Sequence, residues 1–325
     1  MNMLSKLFKQ LRLEKMFLRE ALAFWSLTRK YNASNHTDED IEKMQYTLLR
    51  ENHVIEKGMS LRHPKKGFGK EKVKHLLQYL DLYVNRYADK DASFLKYPMS
   101  TIRGYIAYMK DSGVEISDVE SLYMQLLIKT GFSEVEERVG IVPITREYIL
   151  SECKKDFESL LKSRHSIRYF KDVPPDVNLI KEALVMAQLT PSACNRQGWK
   201  VHIFSGNKSL ELLKWQGGCR GFEEEMKFSI LVTANLKAFL SYEVHQAYVD
   251  GGLYAMNLIN ALHSLGIGTI PLSTAFDCYW LARLKKFGIP DNEVPILIIG
   301  IGEMEDQFNV ASSVRKDPVT ITTWH

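Results

Sequence analysis

The spacing of apolar residues changes near residue 145, and this change divides the chain into two regions of different fold class. Before that point, apolar residues recur every three or four positions, as they do on one face of an α-helix. After it, helical patterns alternate with short runs rich in Val, Ile, Leu and Phe, which favour strands. We therefore predict an all-helical domain over residues 1–144 and an α+β domain over residues 145–325.

The helical region is expected to contain no strand. One helix is predicted to follow Asp38 and to end at Gly58, and a second to run over residues 70–87. A third begins at Ser117 with a capping-box pattern and ends at Gly131. Helices of this length need each other's apolar faces to be stable in water.

The first 30 residues form an amphipathic pattern with seven Lys or Arg and two Glu, a local charge of +5. Such a segment can lie on an anionic membrane surface. The interpretation that we favour is that its apolar residues pack on neighbouring helices and leave the charges in solvent. The residues concerned are Leu4, Leu7, Leu11, Leu18 and Trp25.

Composition excludes several classes of protein. With 45% apolar residues, 25% charged residues and a net charge of +4, the chain is globular and lacks the basic excess typical of nucleic-acid binders.

The longest apolar run, 294–301, is too short to cross a bilayer. Charges interrupt the N-terminus where a signal peptide would be apolar, so we expect a cytoplasmic protein. No metal site is expected, and four scattered cysteines are expected to be free thiols: Cys153, Cys194, Cys219 and Cys278.

In the α+β region, the β-rich runs are bounded by Gly, Pro or Asn. The predicted strands are 167–170, 199–205, 228–233, 268–272 and 294–301. The predicted helices are 145–162, 176–189, 209–215, 241–265 and 276–287.

Three separate segments of this region carry side chains that a core would not require. In residues 163–170, Arg164 and Arg168 offer fixed positive charge and Ser166 a hydroxyl, which suit a phosphate and the polar edge of a ring. Surface arginines beside a helix C-terminus would give the same pattern.

The second segment is the loop over residues 190–199, and the third is Arg315. Small residues at 192–194 let a flat ligand approach the backbone, and Asn195 and Gln197 supply paired donors and acceptors. An ordinary Ser- and Asn-rich loop has a similar composition. Arg315 gains meaning only in combination with the other two segments.

In combination, the segments resemble the FMN-dependent nitroreductase family over residues 145–325. The sequence SRHSIRYF at 163–170 is similar to the family's R-[RH]-S-x-[RK]-x-F pattern. The family's A-P-S-x-x-N-x-Q-P-W loop is matched by Pro191, Ser192, Asn195, Gln197 and Trp199. A helix followed by a glycine pattern and a strand with Pro is matched by Ala261, Gly266, Ile267, Gly268 and Pro271. The loop departs from the family at Gly198, where Pro is usual.

The resemblance implies that FMN is bound, with its phosphate held by Arg164, Ser166 and Arg315. Arg168 and Asn195 would lie near the pyrimidine edge of the flavin, where a cation and an amide favour the reduced form. His165 would have a positioning role. The other cofactor-binding residues implied are Pro191, Ser192, Ala193, Gln197, Pro271, Leu272 and Ser273, the last two through backbone groups near flavin N5.

The family's usual assembly further implies a homodimer with composite sites, in which the Ser192–Ala193 loop reaches the partner's flavin. The implied activity is a ping-pong transfer of hydride from NADH or NADPH through flavin N5 to a nitroaromatic, a quinone or a similar acceptor. No side-chain acid or base is required.

Two alternatives stay open: a specialised flavoenzyme, such as a dehalogenase, a flavin-degrading oxygenase or a biosynthetic dehydrogenase, and a non-catalytic flavin-binding scaffold whose helical domain docks a partner. We expect Cys194 and Cys219 to be packing residues.

Overall fold

A computed structural model describes residues 3–31, 39–132, 140–240, 243–274 and 282–325. Its contacts divide the chain into two compact units, one of Met1–Val142 with Ala311–His325 and one of Pro143–Val310. The domain boundary after residue 144 stays a prediction.

The first unit is largely helical. Its helices are α1 (Met3–Tyr31), α2 (Ile41–Met59), α3 (Lys70–Asp91), α4 (Lys96–Asp111) and α5 (Ser117–Thr130). The expectation that no strand precedes residue 145 is wrong, because β1 spans Ile141–Thr145.

The ends of these helices follow the capping rules only in part. The Asp40 carboxylate accepts a hydrogen bond from the Lys43 N–H at 3.0 Å and caps α2, whereas the predicted start at Asp38 lies outside the described residues. Gly58 does not end α2; it lies inside the helix, where the Phe68 ring leaves no room for a Cβ. Gly131 ends α5 in the left-handed conformation, as predicted.

The core of the helical unit is built from α2 to α5. Among the described residues, α1 contributes none to this core. The predicted packing of the α1 leucines on neighbouring helices is wrong, because Leu7, Leu11, Leu18 and Trp25 are between 52% and 62% exposed. The side chain of Leu4 lies outside the described set.

The second unit is α+β, as predicted. Its central sheet has the order β2-β3-β5-β4, and each neighbouring pair is antiparallel. Its strands are β2 (Trp199–Ser205), β3 (Phe228–Asn235), β4 (Ile267–Ser273) and β5 (Glu293–Glu303), and β1 pairs with β6 (Gln307–Ala311) in a second sheet. The helices are α6 (Arg146–Glu152), α7 (Phe157–Ser163), α8 (Val177–Ala187), α9 (Gly206–Gln216) and α10 (Gln246–Ser264).

Three expectations need correction in this unit. The helix predicted over 145–162 is two helices, because Asp156 starts a new one by accepting a hydrogen bond from the Ser159 N–H. Residues 167–170 are not a strand; only Phe170 forms an isolated bridge, with Met304. The helix predicted over 276–287 falls partly on residues 275–281, which are outside the described ranges, and the remainder includes a 3₁₀ turn at Arg283–Phe287.

Helices α8 and α10 pack on the central sheet, and the apolar side chains between the helices and the sheet form the hydrophobic core of this unit. Tyr254 and Leu258 of α10 share one hydrophobic core with Ile230 and Ile299 of the central strands. The Trp199 indole stacks on the Tyr254 ring with their centroids 4.8 Å apart. Because Trp199 begins β2, this contact fixes where the preceding loop enters the sheet.

Two facing glycines make room for Phe170. Gly268 and Gly302 are register partners on β4 and β5. A Cβ at Gly302 would lie 2.7 Å from the Phe170 ring, and one at Gly268 would lie 2.9 Å from it. The glycines therefore allow the segment that follows α7 to lie directly on the sheet.

We expect Gly302→Ala to destabilise the protein by about 1–3 kcal/mol, because the added methyl group overlaps the Phe170 ring. The free energy of unfolding, measured in urea, reports this loss. In a Phe170→Ala background the same change should cost less, because the overlapping ring atoms are gone. An equal cost in both backgrounds would contradict this assignment.

Candidate functional site

The segment Arg164–Phe170 is the first part of the candidate site. The Ile167 N–H donates to the Thr269 carbonyl of β4 at 2.9 Å, and the Lys171 N–H donates to the Glu303 carbonyl of β5 at 2.9 Å. These bonds lay the segment across the end of the sheet although it forms no ladder of its own. Its predicted ligand groups therefore have a fixed backbone.

Arg168 is the most buried of the predicted ligand groups, at 4% exposure. Its Nη1 lies 3.4 Å from the Ser166 carbonyl, and its guanidinium lies 6.0 Å from the centre of the Phe222 ring. Arg164, His165 and Ser166 are half-buried. A guanidinium on a fixed backbone can bind an anionic or electron-rich ligand.

His263 holds the start of this segment in place. Its Nε2 lies 2.8 Å from the Ser163 Oγ at the end of α7, and both residues are buried. Burial, followed by the charges of Arg164 and His165, lowers the pKa of His263 to about 4. The imidazole is therefore neutral at physiological pH and adds no charge beside the two predicted ligands.

The loop before β2 is the second part of the site, and its backbone is strained. Cys194, Asn195 and Gln197 have φ angles of 51°, 54° and 50°, in the left-handed region that side chains other than glycine rarely adopt. The Ser192 hydroxyl accepts from the Gln197 N–H at 2.9 Å, and the Asn195 Oδ1 accepts from Gln197 Nε2 at 3.1 Å. Strain of this kind collects at ligand-binding loops.

Asp250 anchors the loop to α10. The Ala193 N–H donates to both Asp250 carboxylate oxygens, at 3.2 and 3.3 Å, and Gln246 Nε2 donates to the same carboxylate at 2.7 Å. Farther along the helix, Asn257 Nδ2 donates to the Thr190 hydroxyl at 2.8 Å. Asp250 is 1% exposed, so these bonds form in a dry setting where they are strong.

A second anchor is the pair formed by Arg196 and Glu243. The Arg196 guanidinium donates two hydrogen bonds of 2.6 Å to the Glu243 carboxylate and a third, of 3.0 Å, to the Ala193 carbonyl. The bonds from Arg196, and then the one from the Leu240 N–H, lower the pKa of Glu243 to about 2. The guanidinium also lies over the Phe239 ring at 5.2 Å.

The same region explains Gly198, which stands where the resemblance leads one to expect Pro. A Cβ at this position would lie 2.9 Å from both the Ala238 Cβ and the Phe239 ring. Gly198 leaves room for the Phe239 side chain, which a Pro at this position would not.

Helix α10 therefore holds both segments. Asp250 near its beginning binds the 190–198 loop, and His263 near its end binds the residue that precedes Arg164. Thirteen residues of helix separate these anchors by about 20 Å along the axis. Sequence reasoning missed Asp250, Asn257, Glu243 and His263, because nothing in their local sequence marks them as anchors.

The predicted residues at the end of β4 lie on the central sheet. Pro271, Leu272 and Ser273 pair with Ile299, Ile298 and Leu297 of β5. Leu272 is buried and Ser273 is exposed, and the Ser273 carbonyl accepts from Gln216 Nε2 at 3.0 Å. Their predicted role near a flavin N5 stays a prediction.

Arg315 belongs to the other compact unit. It is exposed, and its Nη1 donates to the Ser313 carbonyl at 2.5 Å. Its predicted role on the FMN phosphate stays a prediction.

The cysteines that the structure describes do not form disulfides. Cys219 is 1% exposed and its Sγ lies 3.3 Å from the Leu213 carbonyl, which agrees with a packing role. Burial raises the pKa of the Cys153 thiol and makes it less reactive. Cys194 is exposed on the strained loop, so the expectation that it is a packing residue is wrong, and Cys278 lies outside the described residues.

Residues 161–227, which include the Arg164–Phe170 segment and the 190–198 loop, match the model of the nitroreductase family. This part of the chain is similar to the nitroreductase family. A Methanothermobacter thermautotrophicus protein, provisionally named NADH dehydrogenase/NAD(P)H nitroreductase, is 24% identical over 178 residues, covering 53% of this chain and 89% of the relative. A 4-nitrobenzoate reductase of Pseudomonas putida is 37% identical over 57 residues, which cover 18% of this chain and 25% of the relative.

Solved structures also resemble the chain. One is a provisionally named nitroreductase from Exiguobacterium sibiricum in complex with FMN, with 19% identity and a TM-score of 0.45, covering 53% of this chain and 98% of that one.

A membrane span requires a helix that is both long and apolar. In the described part of the chain, no helix is long and apolar enough to span a membrane.

We expect stability to fall as the pH drops from 6.5 toward 4, because unfolded His263 binds a proton near 6.5 whereas the folded residue does so only near 4. One such proton changes the free energy of unfolding by up to about 1.4 kcal/mol per pH unit. Urea titrations across this range measure the slope. In His263→Gln, which keeps a polar partner for Ser163 but does not titrate, the slope should decrease; an unchanged slope would assign the proton to another group.

Proposed function

We propose that this chain is an FMN-dependent oxidoreductase that transfers a hydride from NADH or NADPH to a nitroaromatic, a quinone or a similar acceptor. The observation that carries the proposal is the buried Arg168 guanidinium, on a segment hydrogen-bonded to the sheet, within the stretch that matches the nitroreductase family. The name of the archaeal relative also supports NAD(P)H as the donor.

The residues present fit a flavin phosphate and a polar ring edge. Arg164, Ser166 and Arg168 supply cations and a hydroxyl on one fixed segment, and Asn195 and Gln197 supply exposed amides on the strained loop. We assign the phosphate to Arg164 and Ser166, and the pyrimidine edge to Arg168 and Asn195. His165, Pro191, Ser192, Ala193, Pro271, Leu272 and Ser273 complete the proposed binding set.

The bound cofactor would supply the hydride-accepting atom, so the protein needs no catalytic acid or base. The protein's contribution is binding and electrostatics. A fixed guanidinium at position 168 stabilises negative charge that develops on a ligand beside it. His263 contacts Ser163, the residue before Arg164. Because its imidazole is neutral, it adds no positive charge that would attract an anion away from Arg164. We propose ping-pong order, in which the oxidised nicotinamide leaves before the acceptor binds.

We further propose a homodimer with α10 at its interface. One face of α10 is buried in the core, and the opposite face exposes Tyr248, Val249, Leu253 and Met256, each 41% to 52% exposed. Exposed apolar side chains grouped on one face of a helix are typical of an interface. The exposed part of the Ser192–Gln197 loop is anchored to this helix, so a second subunit seated on α10 would lie beside the proposed flavin site.

The purified chain should bind FMN, turn yellow, and be bleached by NADH or NADPH without oxygen; addition of nitrobenzoate or a quinone should restore the colour. Initial rates at varied donor and acceptor should give parallel double-reciprocal lines. Binding without bleaching would favour a scaffold, and bleaching without reoxidation by this panel would favour a specialised flavoenzyme.

The binding assignment is tested in the same experiment by two variants. Arg168→Ala should weaken FMN binding by about 10- to 100-fold, from the loss of a charge-assisted bond. Asn195→Ala, at an exposed position, tests the loop without disturbing the core. Lys208→Ala on α9 removes an exposed cation and should bind normally.

Leu253→Glu should convert a dimer into a monomer, because it places a charge in the proposed apolar interface. Size-exclusion chromatography with light scattering measures the mass, and FMN content should fall with it if the sites are composite. Val173→Glu, at a position 48% exposed on a loop, is the matched control and should stay dimeric. A Leu253→Glu protein that remains a dimer would place the interface elsewhere.

A further inference from the structure

Helix α1 presents a continuous apolar face that no part of the helical core covers. Leu7, Leu11, Leu18, Leu22 and Trp25 recur at intervals of three, four or seven residues, which places them within an arc of about 60° on the helix. Each of these side chains is between 52% and 62% exposed. Phe8 extends the same face and is 70% exposed.

Among the described side chains of α1, all but Leu13 and Met16 are exposed, and the large apolar ones other than Phe17 lie on this face. Leu13 and Met16, on the opposite side, are half-buried, although they are no more apolar than the exposed leucines. The larger apolar stripe therefore points to solvent and the smaller apolar side does not. An exposed stripe of large apolar side chains indicates an interaction surface.

The charges beside the stripe select its partner. Arg12, Lys15 and Arg19 follow one border of the apolar arc, and all three are exposed. On the other border Glu14 accepts a hydrogen bond from Gln10 Nε2 at 3.1 Å. Residues 1–30 together carry a charge of +5, whereas the whole chain carries only +4, so more than the net positive charge of the protein is concentrated on this helix.

We propose that α1 lies flat on an anionic lipid bilayer. Its leucines, Phe8 and Trp25 enter the boundary between headgroups and acyl chains, and its Lys and Arg side chains contact lipid phosphates. A second protein surface would also bury the stripe, but it would not need the bordering row of cations. Because α1 is too polar to span a membrane, the contact is peripheral and reversible.

The test is flotation of the full chain on two kinds of vesicle. The protein should float with phosphatidylcholine vesicles that contain about 30% phosphatidylglycerol and stay at the bottom with phosphatidylcholine alone. Raising the salt from about 0.1 M to about 1 M should release it, because the Debye length falls from about 10 Å to about 3 Å. No flotation on the anionic vesicles would overturn the proposal.

Three variants separate this surface from others. Leu11→Asp with Leu18→Asp should reduce the bound fraction at least tenfold, whereas Arg12→Gln, Lys15→Gln and Arg19→Gln together should abolish the preference for anionic lipid. Ile128→Asp, on α5 in the same unit, changes a side chain that is 79% exposed and should float normally. All these positions are exposed, and circular dichroism confirms that the variants are folded.

Light scattering on the same variants tests the competing occupant. If Leu11→Asp with Leu18→Asp turns a dimer into a monomer while the wild type fails to float, α1 covers a second copy of the chain and the lipid proposal is wrong. Flotation that survives the leucine substitutions would likewise overturn it, because the lipid contact would then lie elsewhere.

Discussion

The α+β unit depends on one helix that is buried on one face and hydrogen-bonded at both ends. Apolar side chains of α10 cover the central sheet, and this packing fixes the helix. Its few polar side chains are then carried to set positions, where Asp250 meets the Ala193 N–H and His263 meets Ser163. Two segments that have little regular structure of their own thereby acquire defined backbones.

This arrangement explains how a strained loop can persist. Three residues of this loop, Cys194, Asn195 and Gln197, have left-handed φ angles, which cost free energy of order 1–3 kcal/mol for each residue. Three contacts offset that cost: the hydrogen bonds to the Asp250 carboxylate, the ion pair of Arg196 with Glu243, and the stacking of Trp199 on Tyr254. The loop can then keep the Asn195 and Gln197 side chains in solvent, where a ligand can reach them.

Local patterns predicted much of the fold. The strands at 199–205 and 228–233, the helix at 176–189 and the cap at Gly131 are confirmed, within a few residues at their ends. Where prediction was wrong, a contact distant in sequence decided the outcome. Gly58 lies inside α2 with the Phe68 ring packed on it, and Phe170 of the segment 167–170 occupies the space left by Gly268 and Gly302.

The sequence by itself determined the two regions of different fold class, the set of cationic and amide groups in two motifs, and the excess charge of the first 30 residues. These features are local, because periodicity, capping and motif spacing act within a few turns of chain. Only the tertiary structure decided that Asp250, Glu243 and His263 support the motifs, and that the apolar face of α1 is exposed. Such outcomes depend on which surfaces meet across many residues, and the spacing along one stretch of chain does not contain that information.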